Sequence, residues 1–108
     1  MARKKLETLT EQMYYVLLAL VQERHGYGIM QYVSNLTYGR VTVGAGTLYA
    51  LLSRFESEGL ISLTNTWEGR KYYKLTPEGE QTLRGEYQRL RRQVADGAAI
   101  LDGKEPTL

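Results

Sequence analysis

Hydroxyl and cationic side chains, rather than nucleophiles or metal ligands, are the reactive groups this chain sets at meaningful spacings. Thr47 and Tyr49 fall within one helical turn, Ser53 and Arg54 follow a turn later, and Arg70 and Lys71 stand beside Gly69. Such groups in series suit phosphate oxygens and base edges. Catalysis would ask for a different set. Cysteine is absent, and His25 is the single histidine. No Ser/His/acid constellation, phosphate-cradling glycine loop or Cys/His metal cluster can be drawn from what remains. The expectation is a chain that is not an enzyme and calls for no cofactor or metal.

Two elements must position these groups. Over Ala45 to Glu58, the residues Leu48, Leu51, Leu52 and Phe55 recur at i, i+3, i+4 and i+7, which predicts a helix with one inward stripe. Gly46, Ala50, Ser53 and Ser57 then point outward, with Tyr49 and Arg54 on the flanks. That outward face is small and hydrogen-bonding. Gly46 and Ala50 allow close approach and contact with a thymine methyl. Thr47 and Tyr49, in the first turn, suit phosphate together with the free N–H groups there, or else cap the helix and pack on the hairpin. Arg54 suits bidentate contact with guanine, or else an ion pair with Glu58 one turn on.

A hairpin follows. Ile61 and Leu63 point inward from one strand, Trp67-Glu68-Gly69 makes the tip, and Arg70 to Leu75 returns. On the return strand Tyr73 and Leu75 share the core face, while Arg70, Tyr72 and Lys74 share the other. A helix with a small, polar outer side followed by a positive hairpin is the surface a winged-helix protein offers to DNA.

Upstream, Thr8 and Glu11 have capping-box spacing at the start of a helix that is apolar on nearly every face from Leu9 to Val21. One side is expected to meet the core and the other, with Tyr14 and Leu17, a partner subunit. Gly26 reads as its stop and His25 as a structural helix-end residue. A second helix over about Tyr27 to Leu36 carries Ile29, Val33 and Leu36 as its stripe, and the Tyr27 hydroxyl is a further phosphate candidate. Val41-Thr42-Val43 is predicted to be a minor strand. Downstream, Thr76-Pro77 opens a last helix in which Leu83, Tyr87, Leu90, Val94, Gly97 and Leu101 alternate in steps of four and three. This heptad seam suits a dimer-forming helix packed beside the first.

The net charge is only +2 over 108 residues, but the basic groups gather at Arg3, Lys4 and Lys5 and at Arg70, Lys71 and Lys74. No apolar run is long enough to cross a bilayer or to serve as a signal-peptide core, so a cytoplasmic chain without membrane contact is expected.

Three motifs together resemble the PadR family of bacterial transcriptional regulators: His25-Gly26-Tyr27-Gly28-Ile29, then Gly46-Thr47-Leu48-Tyr49 with Glu58-Gly59-Leu60-Ile61, then Arg70-Lys71-Tyr72-Tyr73-Lys74-Leu75-Thr76-Pro77-Glu78-Gly79. Their order and spacing span about residues 9 to 85, and the single C-terminal helix is similar to the short-tailed branch of the family. Gly44-Ala45 replaces the family's frequent Ser-Pro, Ala50 stands where a proline is common, and the hairpin carries only Gly69-Arg70-Lys71.

The fold class expected is mainly α with a small β-hairpin, a winged helix-turn-helix plus a C-terminal dimerisation helix. The divisions are a basic arm over 1–8, the DNA-binding domain over 9–76, the dimerisation helix over 77–102 and a disordered tail over 103–108. The resemblance implies a homodimeric repressor on a palindromic double-stranded operator. It also implies that some members respond to small aromatic effectors at the dimer interface, where Tyr14, Tyr15 and Tyr87 fall. The alternative function is a winged-helix protein-interaction module that does not touch DNA.

Overall fold

A computed structural model describes residues 8–103; residues 1–7 of the basic arm and 104–108 of the expected tail lie outside the described residues. Four helices enclose one core and carry a small sheet: α1 Glu11–Ala19, β1 Arg24–His25, α2 Gly26–Leu36, α3 Ala45–Ser57, β2 Ile61–Trp67, β3 Arg70–Leu75 and α4 Pro77–Leu101. The sheet is antiparallel in the order β1-β3-β2. This is a winged helix with an added long helix. No helix among the described residues is long and apolar enough to cross a membrane.

The core forms where the inward stripes meet. Val16, Leu17 and Leu20 from the first helical segment, Ile29 and Val33 from α2, and Leu48 and Phe55 from α3 are fully buried. Leu51 is only partly buried at the rim of this cluster.

Several local expectations are corrected. The cap of α1 is Thr10, whose Oγ1 accepts the Met13 N–H at 3.2 Å, so Thr8 and Glu11 form no capping box. Gly26 does not stop α1, which ends at Ala19 with Leu20 as its C-cap; it opens α2 behind the His25 cap. Val41 to Val43 is not a strand. Thr37 Oγ1 donates to the Val33 carbonyl at 2.9 Å and accepts the Val41 N–H at 3.0 Å, so a side chain supplies the bond a sheet would have made. Both valines turn into the core, and Thr37 is buried where Leu36, 46 % exposed, was expected to be. Leu63 is likewise 45 % exposed: it pairs in register with Tyr73, but the wing projects past the core there, and the register slips only beyond it. Trp67 pairs with Arg70, leaving Glu68-Gly69 alone as the turn; both have positive φ, 49° and 75°, the type I′ geometry that suits strand twist.

One buried charge had no signal in the sequence. Glu86 on α4 is 4 % exposed, accepts the Leu9 N–H at 2.8 Å, and pairs with Arg89 through hydrogen bonds of 2.6 and 2.9 Å. These bonds tie the segment before α1 to α4. The Arg89 hydrogen bonds hold its carboxyl below the ordinary glutamate value against the opposing effect of burial, with the Leu9 N–H assisting. A depressed carboxylate contributes stability above its unfolded-state pKa, lost as pH falls through the folded-state value. Glu86→Gln is therefore expected to cost about 1.5–3 kcal/mol at neutral pH. The gap between parent and variant should close below the ordinary carboxylate range. Urea unfolding at both pH values checks this; an equal gap at each would show that the charge contributes nothing.

Candidate nucleic-acid interface

The shortest strand does the positioning. β1 pairs with β3 so that Arg24 lies opposite Tyr73 and His25 opposite Tyr72, fastening the start of α2 to the root of the wing. Arg24 is held in turn by a 2.8 Å hydrogen bond from Nε to the Ala19 carbonyl and by the Tyr32 ring, 3.9 Å from its guanidinium carbon. His25 caps α2: its Nδ1 accepts the Gly28 N–H at 3.0 Å, and its ring meets Tyr72 edge-on with centroids 5.2 Å apart.

Helix α3 closes on the same place. Its Tyr49 lies over Gly26 so tightly that a Cβ there would stand 2.9 Å from the hydroxyl. Gly26 thus serves the close approach of the Tyr49 ring rather than a helix end; a side chain there would push that ring aside. A cleft of about 390 Å³ results, lined by His25, Gly26, Tyr27, Tyr49, Gly69, Arg70, Lys71 and Tyr73. Tyr27 and Tyr49 are 57 % and 58 % exposed, and the Tyr27 hydroxyl accepts from Gln31 Nε2 at 2.9 Å. Burial, with Glu56 and Tyr49 adding to it, raises the Tyr73 phenol above its ordinary value.

The structure brings Tyr27, Tyr49, Arg70 and Lys71 together. Gly46, Thr47, Ala50, Ser53 and Arg54 stay on the exposed side of α3, outside the cleft lining. Tyr72 is half-buried with its ring against His25 rather than free beside Arg70. Tyr73, assigned by alternation to the core face, packs against the core and also lines the cleft. His25 and Gly26 also belong to it. The signal for both was a histidine with helix-capping chemistry directly before a glycine.

The sequence pattern of the transcriptional regulator PadR-like family matches residues 16–85. The chain belongs to the PadR-like family. It is 33 % identical over 61 residues to the transcriptional regulator YqjI of Escherichia coli, an overlap of 56 % of this chain and 30 % of that protein. The chain thus aligns with under a third of that relative. Among solved structures, a PadR family regulator from Eggerthella lenta superposes with a TM-score of 0.67 at 30 % identity, covering 83 % of this chain and 80 % of that one. PadR of Bacillus subtilis in complex with operator DNA superposes with a TM-score of 0.61 at 28 % identity, covering 68 % and 45 %.

In this PadR-like chain the expected dimer residues divide. Leu17 is fully buried and Leu83 is 5 % exposed, both packed in the chain's own core, so neither is a free interface residue. The helical periodicity that makes a seam also makes a core stripe, and the first part of α4 uses it for the core. Further along, Tyr87, Val94 and Leu101 are 45 %, 71 % and 84 % exposed, while Leu90 is half-covered. Tyr14 joins Tyr87, Leu90 and Val94 along one apolar groove of about 400 Å³.

Proposed function

We propose that this chain is a DNA-binding transcriptional repressor acting as a homodimer on a palindromic operator. The convergence of Tyr27, Tyr49, Arg70 and Lys71 on one cleft beside the recognition helix carries this reading. Phosphate anchors on three elements would fix the register of α3 in a major groove. Exposed Ser53 and Arg54, with Gly46 and Ala50 permitting close approach, would then face the bases. The first turn of α3 also has no side-chain cap, and Thr47 stands beside its N–H groups.

The exposed apolar side of α4 supports a second copy as the partner, since no other described element covers it. The groove between Tyr14 and Tyr87 is of a size and chemistry to take a small aromatic effector. Selecting bound duplexes from a random DNA pool tests the proposal. Recovery of an inverted repeat with half-sites about one or two helical turns apart supports it. Absence of enrichment with a folded chain favours an adaptor role instead. For the interface, Val94→Asp is expected to give a folded monomer with weak DNA affinity, read by sedimentation and duplex titration. A variant that remains dimeric would remove α4 from the interface.

A further inference from the structure

His25 carries more than a cap. Its Nδ1 is committed as an acceptor to the Gly28 N–H at 3.0 Å, so the neutral ring bears its proton on Nε2. The neighbour of Nε2 is an Arg70 guanidinium nitrogen 3.4 Å away, and guanidinium has donors only. Two donors side by side cannot satisfy each other. Arg70 makes no ion pair among the described residues, and no carboxylate lines the cleft that both groups share with Lys71. The ring is held in place by its cap and by the edge-on Tyr72.

We propose that one DNA phosphate seats in this cleft, with a non-bridging oxygen accepting from both His25 Nε2–H and Arg70. His25 is then a neutral binding residue that sets where the backbone lies, while Arg70 and Lys71 supply the charge. The assignment rests on the DNA-binding reading above. A free anion would meet the same donors, but Tyr49 ties the cleft to the flank of the recognition helix, where a DNA backbone passes.

The test is His25→Asn. Asparagine keeps a capping oxygen for α2 but ends short of the Nε2 position. Binding of a fluorescein-labelled duplex recovered from the random pool is followed by anisotropy between about 50 and 200 mM salt. The variant is expected to unfold at the parent's temperature and to bind about tenfold more weakly. Its salt slope should equal the parent's, because a neutral donor releases no counterion. Arg70→Ala in parallel should lower that slope by about 0.9 for each phosphate it no longer neutralises. Parent-like binding by His25→Asn, with Arg70→Ala weakened, overturns the His25 assignment and leaves the DNA reading standing. Failure of the parent itself to bind any duplex overturns the DNA reading. If His25→Asn loses its fold, the intact chain decides by nitrogen NMR of its single histidine. The Nε2 signal is expected to shift as the duplex saturates; an unmoved signal overturns the proposal.

Discussion

Replacing Gly79 with alanine is expected to remove about 3 kcal/mol or more of folding stability, beyond the usual cost of an overpacked site. A Cβ at Gly79 would lie 1.9 Å from the Leu60 carbonyl oxygen and 2.8 Å from its carbon. Neither side can retreat. The Leu60 carbonyl accepts the Thr76 N–H at 3.0 Å, the Leu60 N–H donates to the Phe55 carbonyl at 2.9 Å, and Thr76 Oγ1 donates to the Gly59 carbonyl at 2.6 Å. Thr76 Oγ1 also accepts the Gly79 N–H at 3.0 Å as the cap of α4. Moving the helix breaks its cap; moving Leu60 breaks the exit from α3. Helix propensity pulls the other way by about 1 kcal/mol and loses, since a backbone oxygen has no rotamer by which to yield. Gly85, later in the same helix, separates the two effects. Apart from its chain neighbours and its own helix backbone, nothing described lies within 4 Å of its missing Cβ, so Gly85→Ala should stabilise by about 0.5–1 kcal/mol. Urea unfolding followed by circular dichroism reads both. An unchanged midpoint for Gly79→Ala would mean that α4 can pivot away from the α3 exit.

Arg70→Ala combined with Lys71→Ala is expected to have the largest effect on DNA binding. Both residues line the cleft beside the turn of the wing, and both are exposed, so their removal costs little in folding. Each phosphate left without its cation should lower the slope of log affinity against log salt by about 0.9, doubled when two chains bind together. The weakening should be nearly uniform across duplex sequences, since cations on phosphates position the protein without reading bases. Changes at Ser53 and Arg54 should instead alter which duplex is preferred, by about 1–3 kcal/mol for each bidentate base pairing. A double variant with the parent's affinity and salt slope would remove the wing from the interface. Trp67, the chain's single tryptophan and the strand residue paired with Arg70, gives a fluorescence report from the wing itself.

Much of the architecture was legible because it rests on local regularities. The 3.6-residue stripe of Leu48, Leu52 and Phe55 gave α3 within a residue of its observed end, and Thr76-Pro77 gave the start of α4. The wing strands followed from alternation and glycine. Elsewhere, local chemistry imitates a regular element without being one. Val41 to Val43 has the composition of a strand, yet a threonine side chain satisfies its backbone. Leu17 and Leu83 have the spacing of an interface, yet the core takes them, because periodicity tells which residues share a face and not what covers it.

By itself, the sequence determined the family, the order of the helices and the cations of the wing, because stripes, caps and turn residues act over a few neighbouring positions. The tertiary structure alone decided the cleft. Two polar residues, Arg24 and His25, pair with Tyr73 and Tyr72 far along the chain, and no periodicity marks so short a strand. That pairing sets His25 beside Arg70 and, with Tyr49 closing over Gly26, turns separate hydroxyls and cations into one concave surface. Local spacing fixes which way a side chain faces; only long-range packing fixes what it faces.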